Sequence, residues 1–199
     1  MRSEDILGYF IIGFIVSISF YVYRDNYEGF QLKCIVSEVD GNKYCVRERS
    51  QIQNASNLLA RTSEKLAYLV ENVGQRYPDR DNVKQLVKNF NPTTIKETLP
   101  TSEYTAYSEN KGEKLAFCLN KKKNNNDNLI DSNTLMFVAV HEIAHIMTTS
   151  IGHTEEFWNN FKFLLENAVE LKLYTPVDYK KEPEGYCGMN ITDKPYYDL

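Results

Sequence analysis

The sequence predicts an α+β protein with an N-terminal transmembrane helix. Three observations lead to this prediction: an uncharged apolar run near the N-terminus, segments with the apolar spacing of amphipathic helices, and short strand-like segments separated by turn residues. The 199 residues suffice for one core with an appendage. We expect an anchor at 1–24, a β-hairpin and linker at 25–50, a helical subdomain at 51–98 and a motif-bearing domain at 99–199.

The apolar run extends from Ile6 to Tyr23 without a charged residue. As a helix it would be about 27 Å long, close to the hydrocarbon thickness of a bilayer. A cleaved signal peptide is the competing interpretation, but Arg2 is offset by Glu4 and Asp5, and no small-residue cleavage site follows. The run therefore predicts an uncleaved anchor, with the lipid bilayer as the partner of residues 6–23.

The distribution of basic residues predicts the orientation of this anchor. Those that follow the run closely are Arg24, Lys33 and Lys43. Only Arg2 precedes it, so the positive-inside rule places the large domain of a single-pass protein in the cytosol. That location fits unpaired cysteines. A disulfide between Cys34 and Cys45 stays open as an alternative, because it depends on a strand register that the sequence does not specify.

Charge and aromatic content argue against a nucleic-acid partner. The formal net charge is -4, which provides no basic surface for phosphates. The 14 tyrosines and 10 phenylalanines are spread along the chain instead of alternating with Lys and Arg, as a base-stacking surface requires. We therefore predict no nucleic-acid binding.

Regular elements follow the anchor in order. Residues 30–47 contain apolar and β-branched positions around Asp40-Gly41, a hairpin turn signal. Apolar residues at helical spacing then predict helices at about 54–75 and 81–89. A second hairpin is predicted from strands at 104–108 and 114–119, and the polar tract at 121–128 reads as a solvated loop.

The next helix, predicted at about 133–148 behind the capping residue Asp131, carries the sequence His141-Glu142-Ile143-Ala144-His145. His141 and His145 lie one turn apart, about 40° around the helix, so both imidazoles can reach one metal ion. Glu142 can accept a proton from metal-bound water and is the candidate general base. The pattern predicts a Zn²⁺ site that hydrolyses an amide bond.

A catalytic zinc needs a third protein ligand and an open fourth position. All three histidines of the chain fall within residues 141–153, and His153 follows a turn through Ser150-Ile151-Gly152 that can reverse the chain. The competing ligand is Glu166, on a helix that Thr154 begins. We prefer His153 because imidazole is the commonest metal ligand.

The residues around the three histidines resemble those of known protein families. The sequence HEIAH followed by GHTEEFW resembles WLM and SprT-like zinc metallopeptidases, in which HExxH precedes a third His and then a Phe-Trp or Phe-Tyr pair. Residues 110–119, 133–139 and 186–189 look like metallopeptidases of giant DNA viruses, and the resemblance covers about residues 100–199. It implies a zincin-like fold with an active-site helix, a second helix and a small antiparallel sheet. It also implies zinc binding by His141, His145 and His153, with Glu142 as general base.

The leading hypothesis is a membrane-anchored zinc peptidase acting on a protein or peptide substrate. The alternative is a structural minor capsid or virion membrane protein with an inactive zinc site, in contact with other virion proteins. A structural site would be closed by a fourth protein ligand, Cys187 or Cys118, whereas a catalytic site stays open. Three tyrosines after the second helix could stabilise an oxyanion or could simply pack: Tyr174, Tyr179 and Tyr186.

Overall fold

The computed structural model describes residues 8–9, 11–21, 23, 32–123 and 128–198, a mixed fold of helices and short strands. The strands are β1 (Leu32–Val36), β2 (Lys43–Arg47), β3 (Ile95–Glu97), β4 (Ala106–Glu109), β5 (Lys114–Phe117), β6 (Glu184–Tyr186) and β7 (Met189–Ile191). The helices are α1 (Ile52–Arg76), α2 (Asp81–Asn89), α3 (Ser132–Met147) and α4 (Glu155–Glu170), with a 3-10 turn at Pro92–Thr94. The helices predicted at about 54–75, 81–89 and 133–148 are confirmed as α1, α2 and α3.

The prediction of a transmembrane helix at residues 6–23 is wrong. Within the described ranges, no helix combines the length and the apolar character needed to cross a membrane. Positions 6, 7, 10 and 22 of the predicted span lie outside the described residues. The predictions of a lipid bilayer as partner and of a single-pass membrane location depended on this anchor, and they are wrong for the same reason.

Strands β1 and β2 form an antiparallel hairpin around the predicted turn at Asp40-Gly41. Its register places Cys34 directly opposite Cys45, and the two form a disulfide. A second disulfide joins Cys118, just after β5, to Cys187 in the turn between β6 and β7. The disulfide between Cys34 and Cys45, left open as an alternative, is therefore the observed state, because the strand register brings the two residues together, and the fit to unpaired cysteines is wrong.

The central sheet has the strand order β3-β5-β4. Strand β4 pairs with β5 antiparallel, as the second predicted hairpin requires, but β3 pairs with β5 in parallel. The predicted small antiparallel sheet is thus a mixed one. Strand β3 has three residues, Ile-Lys-Glu, which are too few to show an alternating pattern in the sequence.

Helix α3 lies at the centre of the molecule and packs against α1, α2, α4, β4 and β5. It is buried along nearly its whole length, which explains why its sequence is apolar on most sides instead of amphipathic. The exception is the side that carries His141 and His145, which are only half-buried. The fold therefore holds the motif on a rigid central element with one side open to solvent.

A buried ionic cluster ties β2 to the sheet. Arg49 pairs with Glu97 of β3, and the Arg47 Nε donates to the Thr98 carbonyl oxygen at 2.7 Å. The Arg49 Nη1 also donates to the Asn120 Oδ1 at 2.8 Å. The Asn120 carbonyl in turn accepts the Cys187 N–H at 2.9 Å. Each buried charge is hydrogen-bonded, and the cluster connects the N-terminal hairpin to the C-terminal one.

Candidate metal centre

Three histidine rings converge beside α3. The His141 Nε2 lies 3.3 Å from the His145 Nε2 and 3.1 Å from the His153 Nε2. One nitrogen from each ring falls within 4.8 Å of the others. Nitrogen ligands about 2.0–2.1 Å from a tetrahedral zinc lie roughly 3.4 Å from one another, so the two separations measured from the His141 Nε2 suit a metal of that size. These histidines could bind a metal ion.

Local hydrogen bonds set the start of α3. The Asp131 carboxylate accepts the Asn133 and Thr134 backbone N–H groups at 3.0 and 2.9 Å, as an N-cap. From this fixed start, His141 and His145 occur one turn apart on the open side of the helix. The observed cap is the one that the sequence predicted.

The loop that brings His153 back to α3 is held from two sides. Lys111, in the turn between β4 and β5, donates from Nζ to the carbonyl oxygens of His145, Thr148 and Ser150 at 3.3, 2.6 and 3.2 Å. Its ammonium thereby neutralises the negative C-terminal end of α3. On the other side, the Glu156 carboxylate accepts the Thr149 and Ser150 backbone N–H groups at 2.9 and 3.1 Å.

Phe157, in the first turn of α4, contacts all three histidine rings. It stacks on His145 with ring centroids 4.3 Å apart, and its centroid lies 4.8 Å from that of His141 and 4.7 Å from that of His153. Phe157 is buried. It therefore restricts the rotamers of the three rings and forms an apolar floor beneath them.

The electrostatic environment keeps the two α3 histidines neutral. Burial, together with the neighbouring histidines, lowers the pKa of His141 to about 3. Burial, with His153 and Lys111 nearby, lowers the pKa of His145 to about 4. Both imidazoles are therefore unprotonated near pH 7, the form that binds a metal.

Glu142 faces the sheet and is only 6% exposed. Burial raises the pKa of Glu142 to about 8, and a hydrogen bond from the Ser108 backbone N–H of β4 opposes this rise. In the protein environment alone the carboxyl therefore holds a proton near neutral pH. A cation held by the adjacent histidines would favour the ionised form, which can accept a proton.

A groove of about 670 Å³ runs over the cluster, between β4 and the loop at residues 149–153. Its lining includes His141, Glu142, His145 and His153. In the described part of the chain, β4 is an edge strand of its sheet. The Thr105 carbonyl accepts the Cys118 N–H on the β5 side, so the backbone groups of Ala106 and Ser108 point the other way.

The other predicted site residues lie elsewhere. Glu166, the competing third ligand, is on the exposed side of α4 and does not line the groove. Cys118 and Cys187 are bonded to each other, so neither supplies a thiolate for a fourth ligand.

The three candidate oxyanion tyrosines are buried and hydrogen-bonded. The Tyr174 Oη accepts the Val177 N–H at 3.2 Å, and the Tyr179 Oη donates to the Thr134 Oγ1 at 3.5 Å. The Tyr186 Oη accepts the Cys118 N–H and donates to the Thr105 carbonyl. Their contacts are those of packing residues, the competing interpretation given above.

Three residues of the site were not predicted: Lys111, Glu156 and Phe157. The sequence held a partial signal for the last two, since both belong to the GHTEEFW segment that carries the resemblance. Lys111 also belongs to a segment that carries the resemblance, residues 110–119, but its contact with α3 was not predictable because it depends on how the β4–β5 turn folds back. Lys111 and Gly112 there both adopt positive φ values, 57° and 113°.

Comparisons with known proteins identify viral relatives. Over 197 residues the chain is 26% identical to uncharacterized protein R325 of Acanthamoeba polyphaga mimivirus, covering 97% of this chain and 98% of the relative. It is also 39% identical over 75 residues to uncharacterized protein 136R of Invertebrate iridescent virus 6, covering 38% of this chain and 41% of the relative. The mimivirus relative agrees with the resemblance to proteins of giant DNA viruses. No protein-family model matches the chain.

Among solved structures, the chain is similar to Wss1 from Saccharomyces cerevisiae. The TM-score is 0.49 and the sequence identity 17%, over 63% of this chain and 84% of Wss1. A mutant of Wss1 gives the same TM-score at 16% identity, over 65% of this chain and 91% of that structure.

Proposed function

We propose that the protein is a zinc-dependent peptidase in which His141, His145 and His153 hold the metal and Glu142 is the general base. The observation that carries the proposal is the convergence of three imidazole nitrogens, two of whose separations suit tetrahedral zinc, beside a buried glutamate in an open groove. Bound zinc would polarise the substrate carbonyl and lower the pKa of a water molecule.

The chain's own residues supply positioning and proton transfer. Glu142, oriented by the Ser108 N–H, accepts the proton of the attacking water and passes it to the leaving amine. The outward N–H and carbonyl of Ala106 and the outward Ser108 carbonyl offer an edge on which an extended peptide can add as a strand, while the Ser108 N–H stays on Glu142. The substrate is then a polypeptide in extended form, with its cleaved bond above the histidines.

The disulfide between Cys118 and Cys187 supports a catalytic rather than a structural metal site. A structural zinc is closed by four protein ligands, and the two cysteines considered for the fourth position are bonded to each other. Among the described residues, the side chains grouped at this place that could hold a metal ion are those of the three histidines. The fourth position is thus left for water or substrate.

The test is metal analysis and peptide cleavage with the full-length chain. We expect one zinc per chain, retained in Glu142→Gln, while cleavage of an unfolded protein substrate falls by about 10²–10⁴-fold in that variant. His153→Ala should lose zinc. Glu166→Gln, which changes the competing ligand on the exposed side of α4, should keep both zinc and cleavage.

Two results would contradict the proposal. Zinc in the wild type and in Glu142→Gln, without cleavage by either, would indicate a structural site. Loss of zinc in Glu166→Gln with retention in His153→Ala would show that the third ligand is assigned wrongly.

A further inference from the structure

Large exposed apolar side chains gather at the groove. Outside residues 8–23, those of the described chain are Val36, Tyr68, Val87, Tyr104, Ile151, Met189 and Tyr197. Three of them, Tyr104, Ile151 and Met189, line the groove over the histidines. They are 65%, 92% and 51% exposed and come from three separate segments: the approach to β4, the α3–α4 loop and β7. Single exposed apolar residues need no explanation, but a convergent set marks a binding surface.

Ile151 is exposed on a loop whose backbone is constrained on both sides of it. Its neighbour Ser150 is hydrogen-bonded through its N–H to Glu156 and through its carbonyl to Lys111. Gly152, on the other side, has a φ of 84°, which positions the chain for His153. The backbone on both sides of Ile151 is thus constrained, and its side chain points into solvent two residues from a proposed zinc ligand.

The apolar surface continues into the protein beside Glu142. A cavity of about 180 Å³ adjoins the groove and shares Met189, His141 and Glu142 with it. Beyond the residues it shares with the groove, the cavity is lined by the mainly apolar side chains of Phe137, Val138, Tyr186 and Ile191 and by the polar Asn190 and Thr192. This volume accommodates one medium or large apolar side chain, and burying such a group is favourable in proportion to its area.

The charged groups nearest to Ile151 are already engaged. The Lys111 ammonium is directed at three carbonyl oxygens of the α3 end and its loop, and the Glu156 carboxylate accepts hydrogen bonds from Thr149 and Ser150. Asp193, an exposed carboxylate that lines both the groove and the cavity, disfavours an acidic side chain there. The surface around Ile151 itself therefore favours an apolar side chain.

We propose that Ile151, Tyr104 and Met189 form a specificity surface that selects extended polypeptide segments with a large apolar side chain next to the cleaved bond. The proposal rests on the proposed peptidase function and names its substrate class. Main-chain pairing along β4 would bind any sequence, whereas the apolar surface discriminates between side chains.

The test separates binding from cleavage by using zinc-loaded, full-length Glu142→Gln. Fluorescent peptides that share their flanking sequence and differ only in a central Leu, Phe, Ser or Asp are titrated and their Kd values measured; the Leu, Phe and Ser peptides have equal charge. We expect Leu and Phe peptides to bind at least about tenfold more tightly than Ser or Asp peptides. Adding Ile151→Ser or Met189→Ser should reduce this preference by about fivefold or more. Tyr68→Ser, on the exposed side of α1, is the matched control and should leave it unchanged.

Each outcome separates the two proposals. Equal Kd values for Leu and Ser peptides, or the same loss from Tyr68→Ser as from Ile151→Ser, would overturn the specificity surface even if the wild type cleaves peptides. An apolar preference that Ile151→Ser removes, in a protein whose wild type cleaves none of the peptides, would keep the surface and reject the peptidase.

Discussion

The Lys111 Nζ lies 2.6 Å from the Thr148 carbonyl oxygen, so a cation from the β4–β5 turn caps the C-terminal end of the helix that carries His141 and His145. The same ammonium also contacts the carbonyls of His145 and Ser150. It therefore connects the sheet, the metal-site helix and the loop that leads to His153. Lys111 is a positioning residue in this arrangement and touches none of the reacting atoms.

We expect Lys111→Met to weaken both the fold and the metal site. The loss of a partly buried cation at a helix C-terminus should lower the free energy of unfolding by about 1–2 kcal/mol. Because the loop to His153 is released, zinc affinity should fall by about tenfold in competition with a chromophoric chelator. Lys88→Met, in the last turn of α2, is the matched control. Equal effects of the two substitutions would show that Lys111 has no special role.

Phe157→Leu should reduce zinc affinity by about tenfold, since the ring that orients three imidazoles is replaced by a smaller group without a flat face. The free energy of unfolding should fall by about 1–2 kcal/mol. Phe163→Leu, in the same helix but packed on Tyr77, should lower stability without changing zinc affinity. Isothermal titration and chemical denaturation measure the two quantities. An unchanged zinc affinity in Phe157→Leu would contradict the orienting role.

The cap of α3 predicts a defined pH dependence of stability. Partial burial raises the pKa of Asp131, but hydrogen bonds from Thr134 and Asn133 outweigh it, so the folded-state pKa lies below the usual value. A carboxyl with a lowered folded pKa stabilises the protein above its unfolded pKa of about 3.9 and loses that contribution as the pH falls through the folded pKa.

Wild type should therefore be more stable than Asp131→Ala by about 1 kcal/mol at pH 7, and the difference should vanish between about pH 5 and pH 2. Thermal unfolding across this range measures it. Asp79→Ala removes an exposed carboxylate between α1 and α2 and controls for the change in net charge. A difference that stays constant down to pH 2 would contradict the ionised cap.

The two disulfides should contribute unequally. The Cys118–Cys187 bond closes a sequence separation of 69 residues and the Cys34–Cys45 bond one of 11. The loop-entropy estimate gives about 4 and about 3 kcal/mol respectively. Cys118→Ser with Cys187→Ser should therefore destabilise the protein more than Cys34→Ser with Cys45→Ser in urea unfolding.

The longer-range bond should also affect the groove. Strand β7 supplies Met189 to the groove wall, and the bond tethers the β6–β7 turn to the end of β5. The Cys118 and Cys187 double variant should thus lose affinity for apolar peptides, whereas the Cys34 and Cys45 double variant should keep it. The reverse order of effects would show that the tether does not hold the wall.

Local patterns determined the parts of the site that one helix can carry. The spacing of His141 and His145, the position of Glu142 between them and the cap at Asp131 follow from the period of an α-helix, which depends on neighbouring residues only. The turn residues Asp40-Gly41 likewise predicted the hairpin of β1 and β2. These features needed no knowledge of the remaining chain.

Tertiary structure decided the contacts between distant segments. The approach of Lys111 to α3, the contact of Ser108 with Glu142 and the disulfide between Cys118 and Cys187 join residues far apart in sequence. No periodic pattern encodes such pairs, because they depend on how the sheet and helices pack. The apolar composition of residues 6–23 likewise predicted an anchor, whereas within the described residues no helix is both long and apolar enough to cross a membrane.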